Sequence, residues 1–167
     1  MTQSHVTPGT SASNTISPRT PSSDILVYKI TGAEAWQSAI RTGVLEASSV
    51  DVRDGFVHLS ASHQVAETAR RYFAGQPGLM LVAWRSSDLA PGLKWEASRG
   101  GDVFPHQYGA LPIERALWAE PLPLGPDDAP DVDGAIARAA SRHPGSAGAE
   151  AATTSQPTSK PSTGTAA

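Results

Sequence analysis

The chain has 167 residues, a formal net charge of −3 and no cysteine, which excludes disulfides, thiolate metal sites and cysteine nucleophiles. The near-neutral charge, without a basic stripe, argues against a large nucleic-acid duplex as partner, because such a partner is held mainly through its phosphates. No apolar run approaches the about 18 residues that a membrane-spanning helix needs, so we expect a soluble cytoplasmic protein that does not contact a membrane.

Large apolar residues are concentrated in the middle of the chain. Residues 1–23 and 125–167 consist mainly of Ser, Thr, Pro, Ala and Gly, and they bury too little apolar surface to offset the entropy of ordering them. All four Trp, three Tyr and three Phe lie between these ends. We therefore expect one globular domain over 24–124, between a disordered N-terminal tail (1–23) and a disordered C-terminal tail (125–167).

In the first half of this domain, two predicted strands are each followed by a helix. Residues 25–30 form an apolar run typical of a strand. Thr31 and Glu34 have the spacing of a capping box at the start of the first helix. After a predicted loop at 44–54, residues 55–60 form a second strand that leads into the second helix.

The second half is predicted to consist mainly of strands. Residues 79–84 are a continuous apolar run, typical of a strand that is covered on both faces. A short strand at 93–97, with Trp95 in the core, precedes a long loop over 100–109 that is bounded by glycines, and 116–122 is the last strand. This order predicts an α+β fold with largely antiparallel sheets and two main helices.

The strand at 55–60 presents chemically useful groups on one face. Side chains alternate across a strand, so Phe56, His58 and Ser60 point one way while Val57 and Leu59 point to the core. Polar and aromatic groups also crowd together at 94–96 and 104–109. We interpret the three segments as one candidate site.

Other candidate residues for this site have side chains suited to holding an anion or moving a proton. Lys29 projects away from the buried face of the first strand, and Arg99 offers a planar guanidinium for a phosphate or carboxylate. Glu96 is the candidate carboxylate. His106 and Tyr108 lie in the late loop, where polar aromatic residues often contact ligands.

Each of these residues also has a purely structural interpretation. His58 is equally compatible with a ring that satisfies neighbouring backbone groups, and Ser60 with a helix cap. Glu96 could form an exposed ion pair with Lys94, and Arg99 could be a solvated side chain. The rigid turn set by Pro105 and Gly109 could account for His106 and Tyr108. A metal site at His58, His63 and His106 is not expected, because their spacing fits no standard ligand pair and no acidic cluster accompanies them.

Several short motifs carry a family resemblance over most of the domain. They are Tyr28-Lys29-Ile30, the stretches 54–60 (DGFVHLS) and 93–96 (LKWE), the glycine pair with its arginine at 99–101, and 104–109 (FPHQYG) followed by Leu-Pro. In this combination the chain resembles the small bacterial family called domain of unknown function 952. The family name implies no activity.

A more distant resemblance implies a chemistry. A first strand ending near Tyr28, a helix that closes with a glycine, and a Val-His-Leu-Ser strand leading into a second helix are similar to the ADP-ribosyltransferase fold, nearest its RNA 2′-phosphotransferase branch. That fold implies two compact, split sheets around a cleft for NAD or an ADP-ribosyl group. The chain departs from this branch at Tyr28 and Lys29, where the branch has histidine and arginine.

Two functions follow from the resemblance, and the sequence leaves both open. The first is an enzyme that uses NAD or ADP-ribose as its substrate and in which His58 and Glu96 are catalytic. No separate cofactor is indicated. The ligand-binding residues would then be Lys29, Ser60, Arg99, His106 and Tyr108. The second is a non-catalytic module that binds a nucleotide or small anionic metabolite. A third alternative, an interaction domain that acts through its tails, has no indicated protein partner.

Overall fold

The computed structural model describes residues 24–98 and 101–145. The predicted N-terminal tail at 1–23 and the last part of the predicted C-terminal tail at 146–167 lie outside the described residues. The strands are β1 (Leu26–Gly32), β2 (Val44–Leu45), β3 (Val57–His58), β4 (Ser60–Ala61), β5 (Leu79–Arg85), β6 (Leu93–Ala97), β7 (Val103–Gln107), β8 (Leu111–Pro112) and β9 (Trp118–Leu122). The helices are α1 (Ala33–Thr42), α2 (Ser49–Asp54), α3 (Ser62–Phe73), α4 (Ser86–Leu89) and α5 (Val132–Arg142), with a 3₁₀ turn at Ile113–Arg115.

All strand pairs of the described residues are antiparallel, which confirms the predicted α+β class. The largest sheet has the order β4-β1-β5-β9, and the continuous apolar strand β5 lies inside it. A second sheet has the order β3-β7-β6, and β2 pairs with β8. The strands are therefore split between separate sheets, with the longest strands in the first one.

The four-stranded sheet is covered on both faces. On one face Tyr28 and Ile30 of β1 pack with side chains of α3 and α5. On the other face Val27 packs with Trp84 of β5 and with residues of α1, β3 and the segments between them. Lys29 alternates with Tyr28 and so shares the face of Val27. This second face points toward the β3-β7-β6 sheet and carries Lys29 to the candidate site.

The C-terminal boundary predicted at residue 124 is wrong. Helix α5 packs against the sheet through Val132, Ala135 and Ala139, which are all buried. Its Arg142 also donates to the buried carboxylate of Glu120 at 2.8 and 3.0 Å. The domain therefore extends beyond β9, and α5 is a third long helix beside the two that the sequence predicts.

Several local predictions need correction. Thr31 pairs with Met80 in the sheet, so it does not cap α1, whose N-cap Gly32 has no side-chain hydrogen bond. The first helix does end at Gly43, in the left-handed conformation. The segment predicted as a loop at 44–54 contains α2, and the predicted loop at 100–109 contains β7. Trp95, predicted to lie in the core, is 40% exposed.

Candidate functional site

The candidate site is built on one face of the β3-β7-β6 sheet. His58 of β3 pairs directly with His106 of β7, and His106 pairs with Lys94 of β6. The two imidazole rings lie edge to face with 5.6 Å between their centroids. Because Lys94 and Glu96 are two residues apart on β6, they share this face.

Phe56 packs the two imidazoles together. Its ring stacks on the His106 ring at 4.0 Å with an interplanar angle of 20°, and it lies 4.8 Å from the His58 ring. The centroid of the Tyr108 ring is 5.5 Å from that of the Phe56 ring. His106 is thereby largely buried, with 8% of its side chain exposed, whereas His58 keeps 40%. His58 is the imidazole that a ligand can reach.

Asp51 of α2 holds the His58 ring in place. Its Oδ1 accepts from the His58 backbone amide at 2.9 Å and lies 2.8 Å from Nδ1 of the ring. Its Oδ2 accepts from the Ser48 amide and hydroxyl. The Asp51 amide donates in turn to the Ser48 hydroxyl oxygen at 3.3 Å, and this bond and the one from the Ser48 amide form the capping box at the start of α2. The same carboxylate thus starts a helix and orients an imidazole.

Lys29 contacts both Asp51 and the backbone of His58. Its ammonium donates to Asp51 Oδ2 at 2.7 Å and to the His58 carbonyl at 3.2 Å, and the residue is only 9% exposed. The ammonium is therefore engaged by Asp51 and the His58 backbone, and a contact of Lys29 with a ligand stays a prediction.

The ionisation of Asp51 decides which nitrogen of His58 carries the proton. Burial by itself raises the pKa of Asp51, but hydrogen bonds from the His58 amide, from Lys29 and from Ser48 outweigh burial and lower the pKa far below its usual range. An ionised carboxylate accepts hydrogen bonds and donates none. His58 must then donate from Nδ1, and in the neutral ring Nε2 is left as the basic atom.

Glu96 and His106 form a second carboxylate–imidazole pair. Nδ1 of His106 lies 2.9 Å from Glu96 Oε2, and the Tyr108 hydroxyl donates to the same oxygen at 3.0 Å. The hydrogen bonds from His106 and Tyr108 lower the pKa of Glu96. The hydrogen bond to Glu96 in turn raises the pKa of Tyr108. The ammonium of Lys94 lies 4.1 Å from the centroid of the Tyr108 ring.

We refer to His58, Asp51, His106, Glu96, Tyr108 and Phe56 as the two-histidine cluster. An exposed imidazole with a basic nitrogen can accept a proton from a bound hydroxyl and return it. An ionised Glu96, with 38% of its side chain exposed, can stabilise positive charge on a ligand. The cluster therefore combines a base that can take up a proton, His58, with a negative charge that can stabilise a cation, Glu96.

The family of the chain follows from comparison with known proteins. Residues 30–119 match the model of a family described as "Protein of unknown function (DUF952)", and this match covers more than half of the chain. The chain belongs to the DUF952 family. Every residue of the two-histidine cluster lies inside the matched range, and α5 lies beyond it.

Solved structures of one relative support the assignment to DUF952. The crystal structure of protein CC0527 from Caulobacter crescentus is 43% identical, with a TM-score of 0.64 over 67% of this chain and 98% of that one. The solution NMR structure of CC0527 is also 43% identical, with a TM-score of 0.61 over 65% of this chain and 94% of that one. No curated protein matches the chain.

The fold of this DUF952 protein brings together four of the predicted site residues: His58, Glu96, His106 and Tyr108. Glu96 does not pair with Lys94 as the structural interpretation proposed, because its oxygens accept from Tyr108 and contact His106. The roles of these four residues in binding or catalysis stay predictions.

Two predicted residues are not found in the cluster. Ser60 lies in β4, which belongs to the four-stranded sheet, and its hydroxyl donates to Thr68 of α3 at 3.2 Å. Ser60 does not cap α3 either, because the cap position is Ala61, whose amide donates to the Gln64 side chain. Arg99 lies outside the described residues.

Sequence reasoning missed Asp51 and Asp54, the two carboxylates of α2. Asp54 Oδ2 lies 3.4 Å from Nε2 of His58, a contact that becomes an ion pair when the ring is protonated. The spacing of Ser48 and Asp51 is that of a capping box, and this signal could have identified α2. Nothing in the sequence indicates that α2 would pack beside His58.

The described residues contain neither a metal-binding group of side chains nor a membrane-spanning helix. Within residues 24–98 and 101–145, no group of three or more His, Asp or Glu side chains is arranged to hold a metal ion. Over the same ranges, every helix is too short or too polar to span a bilayer.

Proposed function

We propose that this domain transfers or hydrolyses the ADP-ribosyl group of NAD or a related nucleotide, with His58 as general base and Glu96 as the stabilising carboxylate. The observation that carries the proposal is the Asp51–His58 pair. An ionised, buried carboxylate holds an exposed imidazole through Nδ1, so that the basic nitrogen Nε2 is not bound by Asp51. The resemblance to the ADP-ribosyltransferase fold supplies the substrate class.

The reaction would be a substitution at C1′ of the ribose. The bond between C1′ of the ribose and the nicotinamide nitrogen breaks, and nicotinamide leaves as a neutral molecule with the bonding electron pair. A hydroxyl of the acceptor, or water, forms a new bond to C1′. Its proton passes to Nε2 of His58, and the resulting imidazolium is stabilised by Asp51 at Nδ1 and by Asp54 near Nε2.

Glu96 would act on the sugar. The ribosyl group carries positive charge as the bond to nicotinamide breaks, and a fixed negative charge nearby lowers the energy of that state. The Tyr108 hydroxyl and the His106 ring hold the Glu96 carboxylate in position, so little reorganisation is needed when the charge develops.

One observation favours a second candidate, a binding module without turnover. Both oxygens of Glu96 lie within hydrogen-bond distance of the Tyr108 hydroxyl, and Oε2 also contacts His106. A carboxylate whose oxygens are engaged in this way is less available to a ligand. The module would hold a nucleotide or small anionic metabolite through the His58 ring and the cation of Lys94.

Measuring nicotinamide released from NAD, in water and with added acceptors, separates the two candidates. We expect His58→Ala and Glu96→Gln each to reduce the rate by about 100-fold or more, the usual contribution of a positioned acid–base or charged group. His63→Ala is the matched control, because His63 is an exposed histidine of α3, and we expect it to keep the wild-type rate.

Each result decides between the candidates. Release that is lost in both site variants and kept in the control supports the transferase. A rise in melting temperature with NAD or ADP-ribose, without nicotinamide release under any acceptor condition, supports the binding module and ends the transferase proposal. Neither binding nor release ends both.

A further inference from the structure

A cavity open to solvent lies beside the two-histidine cluster and shares a wall with it. Its volume is about 400 Å³, and Lys94 and Tyr108 belong to both the cavity and the cluster face. The lining also includes the backbone after α4, at Ala90 to Gly92, whose last carbonyl accepts from the Tyr108 amide at 2.8 Å, and Arg115 of the 3₁₀ turn. Small-molecule sites typically have volumes of about 300–1,000 Å³, so the cavity is large enough for part of a nucleotide.

The charges on the cavity wall favour an anion. Lys94 and Arg115 are cationic, and Asp88 is the one carboxylate among the lining residues. The Arg115 guanidinium donates to the backbone carbonyl of Asp88 at 2.8 Å, which fixes it at the edge of the cavity. A fixed guanidinium recognises phosphate or carboxylate through parallel hydrogen bonds.

The Gln107 amide forms a tightly packed part of the cavity wall. Gln107 is 5% exposed, and its Oε1 is fully buried and accepts no hydrogen bond within the described residues. A Cβ on Gly92 would lie 2.7 Å from both Gln107 Nε2 and the Tyr108 carbonyl oxygen. The wall is therefore closely packed at this point, and the charged side chains at Lys94 and Arg115 are the groups that can reach an anion in the cavity.

Apolar side chains complete the lining. Leu89, Pro91 and Ala110 offer surface against which a flat ring can pack. The cavity therefore combines cations for an anionic group with an apolar surface for a ring. These are complementary to a nucleoside monophosphate or to one half of a dinucleotide.

We propose that this cavity is a subsite for the phosphate-bearing nucleoside of the ligand, with the phosphate between Arg115 and Lys94. The inference rests on the proposed function for the choice of a nucleotide. It goes further in assigning Arg115 and Lys94 as phosphate-binding residues and in locating the phosphate in a cavity that Tyr108 lines and His58 does not.

Binding of adenosine 5′-monophosphate to the full chain, followed by NMR chemical shifts and calorimetry, tests the subsite. We expect shifts at Gly92 and Ala110, and an affinity weakened at least about tenfold by Arg115→Gln, the loss expected for one charge-assisted hydrogen bond. Arg71→Gln is the matched control, since Arg71 is an exposed arginine of α3, and it should bind like wild type. Adenosine and inorganic phosphate, each alone, should bind more weakly.

Equal affinity in the Arg115 and Arg71 variants would overturn the subsite, as would adenosine that binds as tightly as its monophosphate, or shifts confined to other surfaces. The failure of the subsite differs from that of the proposed chemistry. If NAD is cleaved and Arg115→Gln leaves its KM unchanged, the subsite is wrong and the chemistry stands. If the monophosphate binds with the expected dependence on Arg115 and NAD is not cleaved, the subsite stands and the transferase is wrong.

Discussion

Replacing Asp51 by asparagine is expected to destabilise the fold severely, although the two side chains have nearly the same shape. Asp51 is 2% exposed, and its two oxygens face donors on every side. Oδ2 accepts from Lys29 and from the amide and hydroxyl of Ser48, and Oδ1 accepts from the amide and ring of His58. In either orientation, the asparagine amide group must direct two N–H donors at other donors.

The expected loss of stability follows from the buried charge of Lys29, which Asp51→Asn leaves without its carboxylate partner. The Lys29 side chain is 10% exposed, so its ammonium stays buried when the carboxylate is lost. Removing one partner of a buried ion pair costs about 3–5 kcal/mol, and a domain of this size has a total stability of about 5–15 kcal/mol. We expect Asp51→Asn to lose about 3–5 kcal/mol, a large fraction of the total. Lys29→Met in the Asp51→Asn background should recover part of it, with a coupling energy of about 1–3 kcal/mol.

Urea unfolding followed by tryptophan fluorescence measures these energies, because the chain has four tryptophans. Asp102→Asn is the control, since Asp102 is exposed and a surface substitution changes stability by less than about 0.5 kcal/mol. A loss of stability below about 1 kcal/mol for Asp51→Asn would refute the buried Lys29–Asp51–His58 arrangement. The same holds if the loss in the double variant equals the sum of the losses in Asp51→Asn and in Lys29→Met alone.

Three further predictions concern pH and the C-terminal helix. The folded pKa of Asp51 lies below its unfolded value of about 3.9, so in acid the unfolded state binds more protons at this residue than the folded state does. The stability of the wild type should therefore fall more steeply than that of Asp51→Asn as pH drops from about 5 to 3. Equal slopes of stability against pH in urea titrations would contradict this. Because the hydrogen bond to Glu96 raises the pKa of Tyr108, Glu96→Gln should shift one tyrosine ionisation to lower pH in an ultraviolet titration, and an unchanged curve would count against that bond. A chain that ends at residue 124 should have a free energy of unfolding at least about 2 kcal/mol lower than a chain that ends at 145, since burial of Val132 alone contributes about that much. Equal urea midpoints of the two chains would mean that α5 does not stabilise the fold.

The part of the fold that follows from local patterns could be predicted from the sequence. Strand β5 is a continuous apolar run because it is buried on both faces, and α1 ends at a glycine that adopts the left-handed conformation. Helix α5 could not be found by counting large apolar residues. It packs through Val132 and two alanines four residues apart, so close approach of small side chains replaces large apolar surface.

The candidate site was predictable only where it depends on strand alternation. Val57 and Leu59 do face the core, and His58 faces away from it. The alternation fails at Ser60, because the Leu59 amide donates to Pro105 in one sheet while Ser60 already pairs with Tyr28 in another. A change of sheet within three residues leaves no local signal.

The carboxylate partners of the two imidazoles depend on contacts between distant segments. Asp51 reaches His58 only because α2 folds back onto β3. Glu96 reaches His106 because the register of β6 and β7 pairs Lys94 with His106. Two glycines lie between these strands, and a glycine-rich sequence specifies the pairing register of the strands only weakly.

If the two-histidine cluster is where this domain engages its ligand, titration with ADP-ribose should be visible in the NMR signals of the histidine rings. We expect the His58 ring to carry its proton on Nδ1 in the free protein, and its Nε2 resonance to shift on binding together with signals of Phe56, while the ring of His63 stays unchanged. ADP-ribose that saturates the protein without moving the His58 resonances would show that the ligand binds outside the cluster. A free His58 ring protonated on Nε2 alone would show that Asp51 does not set its tautomer.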